Sequence, residues 1–424
     1  MLRRGIKIAH EKFLAFTLFS FFLLFYGKSG SSDEVSNSRI SLSEAIKIFK
    51  EKNYDVKIAA YEIKKSEGAY IQAGLLLNPA LSINYTGLSF GKNLIYDTDN
   101  TLLSARFEQP LELGGKRRLR RLSAFYQLRA VDFQTKEISR ELVVGLITSY
   151  FRALADRLYA EYLRRDIDDF DEILKIQEKR QKEGFLSLID FMKLQLYKLE
   201  LENALTQAVS TYKKSLKDFN FFLGGGNYEP EEVQEPQDEI FVENLIQDSV
   251  EKREILKSLK EQEKSVDYKI RLLKAYSIPD ISLGVEYDSF GGSFKYKPGI
   301  GFGVFVSLPI FDRRQGDLIS AISEREQISA TLKREEERIK KEILQAFDDY
   351  QASKNIYFSY AEKKSIMDEL LERTKKAHSI GGISTIEFID TLRTYRAFMS
   401  AFFRAKYQYI ASYYILKILG GAEF

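Results

Sequence analysis

The chain has 424 residues, 44% hydrophobic and 29% charged, with a mean hydropathy of −0.28, which is long enough for two or three ordinary domains and too polar for a bundle of membrane-spanning helices. Its 64 basic against 61 acidic residues leave a formal charge of +3, too small for a dedicated nucleic-acid binder, whose surface must neutralise phosphates. The absence of Cys excludes disulfides, thiolate metal sites and lipidation through cysteine, and two histidines, His10 and His378, are too few for a catalytic zinc or a histidine dyad.

Residues 1–12 are basic, Phe13 to Tyr26 is a 14-residue run rich in Phe and Leu, and Gly27, Ser29, Gly30 and Ser31 are small residues suited to cleavage. This order reads as a secretory signal peptide over 1–30; the apolar run is too short for a spanning helix, which takes about 20 residues. Arg3, Arg4, Lys7, Lys12 and Lys28 against Glu11 hold the positive surplus, so the mature chain sits near −1. No other stretch approaches transmembrane-helix length, so an exported chain that meets a membrane again does so through strands or as a surface partner.

The first unit opens with Leu42-Ser43-Glu44-Ala45-Ile46, with Ser41 or Ser43 as N-cap, and keeps helical periodicity to about Leu76 until Pro79 stops it. Leu81, Ile83 and Tyr85 then alternate with Ser82, Asn84 and Thr86; after a Gly/Asn/Asp loop, Leu103, Ala105 and Phe107 alternate with Ser104, Arg106 and Glu108. Period two predicts strands with one apolar and one polar face. Lys116 to about Glu183 holds no proline and interleaves charge with apolar residues at helical spacing, a rod roughly 100 Å long at about 1.5 Å per residue. Helical spacing resumes from about Leu188 to Leu223.

The second half repeats this order: a helix over about 240–275, strands in which Ile281, Leu283, Val285 and Tyr287 alternate with Ser282, Gly284, Glu286 and Asp288, and Ile300, Phe302, Val304 and Val306 with Gly301, Gly303, Phe305 and Ser307, a long helix from about Gly316 to Ser379, and a helix from about Ile386 to Leu419. Four landmarks recur collinearly. Asn78-Pro79-Ala80-Leu81 is answered by Ile278-Pro279-Asp280-Ile281 at an offset of 200, Gln109-Pro110 by Leu308-Pro309 at 199, Gly184 with Asp190 by Gly381 with Glu387 at 197, and Phe222-Leu223-Gly224-Gly225 by Ile418-Leu419-Gly420-Gly421 at 196. Such order indicates an internal duplication: leader 1–30, first repeat 31–223, an acidic Gly/Pro linker over 224–239, and second repeat 240–424.

Strands of about ten residues have the length of a tilted membrane-crossing strand, yet four cannot close a barrel and an open edge cannot face lipid. Three copies would supply twelve strands, within the range of outer-membrane barrels. With no Trp, an interfacial girdle falls to Tyr85, Phe90, Tyr96, Tyr287, Phe290 and Tyr296. The alternative is a small sheet packed against the helices.

The strand-to-helix corners, Glu108-Gln109-Pro110-Leu111-Glu112-Leu113-Gly114-Gly115-Lys116-Arg117 and Ser307-Leu308-Pro309-Ile310-Phe311-Asp312-Arg313-Arg314-Gln315-Gly316, together with the element order from Ser41 to Gly421, resemble the TolC family of outer-membrane efflux proteins, in particular its heavy-metal cation efflux branch. The resemblance implies a mixed α/β membrane protein: a homotrimer with a 12-stranded β-barrel in the outer membrane and a twelve-helix tunnel through the periplasm. It also implies docking to a periplasmic adaptor and an inner-membrane pump. Pro79, Pro110, Gly114, Gly115, Pro279 and Pro309 mark its strand-helix corners. Several members carry an acylated Cys after the leader; this chain has none, so anchoring rests on the barrel.

The turns at 184–190 and 381–390 are, in such a fold, the periplasmic mouth. By resemblance, Glu387 and Asp390, one helical face apart at i and i+3, form an acidic gate and selectivity ring. Threefold convergence of these carboxylates would attract cations and hold some protons tightly. The plainer reading is a pair of first-turn acids favoured by the helix dipole. Asp190 occupies the Glu387 position in the first repeat, but Lys193 replaces Asp390 there. Gly184, Gly381 and Gly382 serve as turn hinges or helix caps. The resemblance also places Leu186, Ser187, Leu188, Ile383, Ser384 and Thr385 at the adaptor contact.

The remaining features carry less. Lys116-Arg117-Arg118-Leu119-Arg120-Arg121 reads as an interfacial anchor or a solvated face, and Gly299-Ile300-Gly301 lacks the helix and lysine of a phosphate loop. Met192, Met367 and Met399 with His378 are too dispersed for a soft metal site. Neither a catalytic residue, a cofactor nor a metal is expected. The leading expectation is a passive exit duct of a tripartite efflux system, with the duct of a type I protein secretion system, or a soluble periplasmic coiled-coil adaptor, as alternatives.

Overall fold

The computed structural model describes residues 38–86, 88–90, 94–96, 100–238, 240–292 and 297–422. The leader over 1–30 and Tyr296 lie outside the described residues, and of Phe90 and Tyr96 only the backbone is described. The chain runs β1 (Ser38–Ile40), α1 (Leu42–Lys52), α2 (Tyr54–Ala73), β2 (Ala80–Thr86), β3 (Leu88–Phe90), β4 (Leu94–Tyr96), β5 (Asn100–Leu111), α3 (Lys116–Lys182), α4 (Leu188–Phe222), β6 (Tyr228–Pro230), α5 (Val242–Lys252), α6 (Glu254–Ala275), β7 (Asp280–Gly292), β8 (Gly299–Ser307), α7 (Gln315–Ser379) and α8 (Thr385–Leu419).

Ser41 caps α1 through a full capping box with Glu44. The helix expected to run unbroken to Leu76 stops at Asn53, which turns to φ −58°, ψ 135°. Its Oδ1 accepts from the N–H groups of Asp55 and Val56 at 2.8 and 3.0 Å, and its Nδ2 donates to the Phe222 carbonyl at 2.8 Å. Asn53 therefore ends α1 and caps α2 with one side chain. Arg253 makes the same break in the second half, at φ −58°, ψ 121°. Its guanidinium, 1% exposed, reaches Glu137 at 3.2 Å and Glu342 at 3.0 Å. A cation so deeply buried is tolerable only when paired in this way.

The long helices lie side by side as staves. On the strand side the order is α2, α3, α6, α7; on the far side α4 and α8 replace the shorter helices, giving α4, α3, α8, α7. The main core fills the middle of the layer, where Leu146, Ile147, Tyr150, Phe151 and Leu154 of α3 meet Phe219 of α4, Ile339 and Ile343 of α7, and Ile410 and Leu416 of α8. The segment expected as a linker does more than connect. Tyr228–Pro230 pairs in parallel with Ser38–Ile40, Tyr150 donates its hydroxyl to the carbonyls of Ile40 and Glu231, and Tyr357 and Tyr413 donate theirs to Glu235 and Asp238. It is a strap laid across the helices.

The four predicted strands form one antiparallel sheet in the order β2-β5-β7-β8, and the loop between the first two adds a short β3-β4 hairpin. Register sorts its faces. Leu81 pairs with Phe107, Phe107 with Val285 and Val285 with Phe302, while Ile83, Ala105, Tyr287 and Ile300 form the next row. This face is apolar from edge to edge, and Phe302 is 85% exposed. The opposite face carries Ser82, Arg106, Glu286 and Gly301 in one row.

The basic run at the start of α3, expected to be solvated or interfacial, is in part built into the corner. Lys116, 2% exposed, donates to the Ile278 carbonyl at 2.7 Å and to Asp280 at 2.8 Å. Arg120 clamps Glu112 through both nitrogens, at 2.6 and 3.0 Å. Gly114 and Gly115 sit at φ +68° and +70°. A Cβ on Gly114 would lie 2.8 Å from Ile278 Cδ1, whereas one on Gly115 would meet open space. Gly115→Ala should therefore cost about 1 kcal/mol of backbone strain, and Gly114→Ala about 3 kcal/mol because overpacking adds to it; thermal melts of the two variants should separate in that order.

Candidate functional site at the hairpin tips

Both hairpins end in the same local chemistry. After α3, Gly184 takes φ +82°, the Gly184 N–H bonds to the Gln181 carbonyl and the Phe185 N–H to that of Arg180; after α7, Gly381 takes φ +78°, bonding to His378, and the Gly382 N–H bonds to Ala377. These are Schellman closures, with the left-handed glycine satisfying the last helical carbonyls. Gly382 has no positive φ; it is the residue after the left-handed one.

Two residues on, Ser187 caps α4 and Ser384 caps α8. Ser187 donates to Asp190 at 2.7 Å and accepts from its N–H at 3.0 Å. Ser384 forms a full capping box with Glu387, whose carboxylate accepts the Ser384 N–H at 2.8 Å and its hydroxyl at 3.0 Å. These hydrogen bonds hold the Glu387 carboxyl below its ordinary value, opposite in direction to the proton retention expected of a ring. The Ser187 and Lys193 contacts do the same for Asp190. Lys193 lies 3.1 Å from Asp190 and cancels its charge, whereas Asp390 is exposed and, among the described residues, unpaired. The second tip thus carries two uncompensated carboxylates and the first none at the matching positions.

Behind the caps sits a small sealed core of Phe170, Leu194, Tyr197, Leu201, Phe388, Ile389 and Leu392, with Leu186 and Ile383 packed against it. The side chain of Thr385 is buried as well. Of the six tip residues singled out from sequence, only Ser187, Leu188 and Ser384 are exposed, and both serines are engaged as caps. The apolar surface of the tips comes instead from Leu188 together with Phe185, Ile189, Met192, Ile380 and Ile386. Sequence reading missed these five, although the signal was present: large apolar residues flank each polar cap without matching the inward period.

The hairpins are tied to each other above the tips. Arg180 of α3 donates to the carbonyls of His378 and Ser379 at 3.2 and 2.9 Å, and His378 stacks on Phe388 with ring centroids 4.2 Å apart. Burial and the Arg180 charge push the His378 imidazole below its ordinary value, so it is neutral near pH 7. Glu200 of α4 accepts from both Arg393, at 2.7 Å, and Arg396 of α8. At the other end of the molecule, on the polar face of the sheet, Arg106 bonds Glu286 at 2.8 Å and lies 4.6 Å over the ring of Phe305.

The chain thus joins capped, carboxylate-bearing tips, a long layer of staves and a sheet with one apolar and one polar face. No protein-family model matches the chain. It is 22% identical over 381 residues, 85% of its own length and 84% of the relative's, to the cobalt-zinc-cadmium resistance protein CzcC of Cupriavidus metallidurans. Among solved structures it matches the CmeC outer-membrane channel of Campylobacter jejuni with a TM-score of 0.74 at 14% identity, covering 93% of this chain and 90% of that one. It matches CusC, a protein described as forming a transmembrane channel, at 0.73 and 15%, covering 94% and 96%. The fold is that of the TolC-family outer-membrane efflux channels. In this chain the tips described above stand at the end of the long helices remote from the strands.

Glu200→Ala removes the shared acceptor of two arginines at a half-exposed site, worth about 1 kcal/mol. Amide exchange over 188–201 and 385–396 should then quicken by about fivefold, with the far end of α3 unchanged; exchange that rises uniformly along α3 would show the tie to be global rather than local.

Proposed function

We propose that three copies of the chain close into a single duct that crosses the outer membrane and extends into the periplasm. It serves as the passive exit of a tripartite efflux system that receives solutes from an adaptor and an inner-membrane pump. The observation that carries this reading is the sheet. Its apolar face is exposed across all four strands and, among the described residues, the outer edges of β2 and β8 are unpaired. Such a sheet is unstable in water and equally unstable in lipid unless its edges are closed. Joining β8 of one copy to β2 of the next satisfies both conditions and turns Arg106 and Glu286 toward a watery interior.

The helices support the same closure. The outermost staves expose apolar side chains along their length: Tyr54, Ile58 and Tyr61 on α2, Leu196 and Leu199 on α4, Ile319, Ile356 and Ile366 on α7. A heterologous contact of α7 with the next copy's α2 and α4 closes into a ring of three and buries them. The soluble adaptor gains no support from a sheet of this kind. In the proposed trimer Glu387 and Asp390 converge on the mouth as an acidic ring, and the exposed apolar tips meet the adaptor. Similarity to a cobalt-zinc-cadmium resistance protein supports heavy-metal cations as the cargo, which pass as hydrated ions with no resident metal.

Purified in mild detergent, the chain should run as a trimer and form cation-selective channels in planar bilayers; Glu387→Ala with Asp390→Ala should bring the cation-to-anion permeability ratio close to unity. An unchanged ratio would remove the ring and keep the duct, and a soluble monomer without conductance would sink the duct itself.

A further inference from the structure

A pocket of about 450 Å³ lies in the middle of the helical layer, between α3 and α8 with Thr211 of α4 at its side. α3 and α8 are the two inner staves, so the pocket is built by one chain and needs no second copy. Its size is that of sites for small organic molecules, about 300–1,000 Å³. The floor is apolar: Phe151 and Tyr407 lie nearly parallel with ring centroids 6.4 Å apart, and Phe403 and Ile415 flank them. Three charged side chains join this floor, Arg152 and Asp156 from α3 and Arg404 from α8. Both arginines are exposed and, among the described residues, neither is engaged by a carboxylate. The Asp156 Oδ2 is buried there without a hydrogen-bond partner, a cost that a donor on a bound molecule removes.

The pocket has a definite direction. Tyr150 and Arg157 of α3 reach the strap at Ile40, Glu231 and Glu229, and Tyr409 and Tyr413 of α8 reach it at Pro236 and Asp238. At about 100° per residue, Arg152 lies about 160° around α3 from Tyr150, and Arg404 about 140° around α8 from Tyr409. The pocket therefore opens on the face of the layer opposite the strap. In a closed ring of three copies a strap on the inside would fill the bore. With the strap outside, the bore is clear and the pocket faces it.

From this geometry we infer that the pocket is a binding site in the wall of the bore for amphipathic organic anions. An aromatic body rests on Phe151 and Tyr407, a carboxylate sits between Arg152 and Arg404, and an N–H of the same molecule is donated to the Asp156 Oδ2. The inference rests on the duct reading for its place in the bore and extends that reading to a second class of solute beside metal cations. Each copy brings two arginines and one aspartate to this level, a positive surplus opposite in sign to the acidic tips. An anion seated in each pocket cancels that surplus, so occupancy moves the ion preference of the channel further toward cations.

Indole-3-acetate carries the ring, the carboxylate and the N–H in one small molecule. Because the chain contains no Trp, indole fluorescence excited beyond tyrosine absorption reports the probe alone. Measured against protein-free micelles, its anisotropy should rise to saturation at one probe per chain, half-saturating below about 1 mM. Arg152→Gln with Arg404→Gln, at exposed positions where no ion pair is lost among the described residues, should weaken binding about tenfold. 1-Methylindole-3-acetate, which lacks the donor, should bind the native chain about fivefold more weakly, and tryptamine, the same ring on a cationic arm, should bind more weakly than the acetate. The site is overturned by the absence of saturable binding, by unchanged binding in the double variant, or by tryptamine binding as tightly as the acetate. In planar bilayers saturating indole-3-acetate should raise the cation-to-anion permeability ratio about twofold; an unchanged ratio with the pocket shown to be occupied overturns its place in the bore. A chain that binds the probe in this way yet never conducts keeps the site and counts against the duct.

Discussion

Everything in this molecule answers to one unsatisfied element, a four-stranded sheet with no core of its own. Sheets in ordinary domains bury at least one face under helices or a second sheet. Here the helices leave the sheet end-on, continuing its strands rather than covering them, and one face is apolar from edge to edge. A single copy leaves that face uncovered, and the long staves extend the sheet into a second, helical layer.

The continuity between the layers is literal. Strand order β2-β5-β7-β8 becomes stave order α2, α3, α6, α7, so each strand hands its place in the layer to one helix. The transition needs a sharp corner where the strand ends and the helix begins. Gly114 and Gly115 supply left-handed backbone there, and the buried Lys116 bolts the corner to the neighbouring one through Ile278 and Asp280. A cation at that depth is costly, so the bolt holds because three groups depend on it together: Asp280 also accepts the Leu113 N–H at 2.8 Å. From this fixed corner α3 runs 67 residues to the tip as a rod of roughly 100 Å, long enough to place sheet and hairpin tips at opposite ends.

Much of this was legible in the residues. Period-two alternation located all four strands of the sheet and the apolar face, proline-free charged stretches located the long helices, and glycines at 184 and 381 located the turns. What escaped was set by tertiary partners. Asn53 had a recognisable capping character, but the break it makes depends on the Phe222 carbonyl 169 residues away; Arg253 makes the same break with no local signal, because its reason is Glu137 and Glu342. The acidic linker looked like punctuation and became a strap because tyrosines on α7 and α8 take up its carboxylates. At the tips the type of residue was readable and its direction was not: Leu186 and Ile383 turn inward while Phe185 and Ile380 turn outward, a choice made by the sealed core rather than by spacing.

The two halves are alike in backbone and unlike in charge, and the difference falls at both ends of the staves. The position held by Gly115 in the first corner is Arg314 in the second, at φ 59°, where Asp312 accepts its N–H at 2.9 Å and steadies a conformation that glycine adopts freely. At the tips, Lys193 neutralises Asp190 and, among the described residues, no cation does so for Glu387 or Asp390. In the proposed ring of six hairpins, three neutral tips alternate with three acidic ones. Mutual repulsion among the acidic three favours a parted mouth, most strongly at low ionic strength. The Arg180 bonds to the α7 carbonyls and the Glu200 bonds to Arg393 and Arg396 pull each acidic tip toward the neutral one within its own copy. The resting width of such a mouth is therefore a balance between repulsion across the ring and attraction within each protomer, and a single duplicated unit with identical tips could not set the two independently.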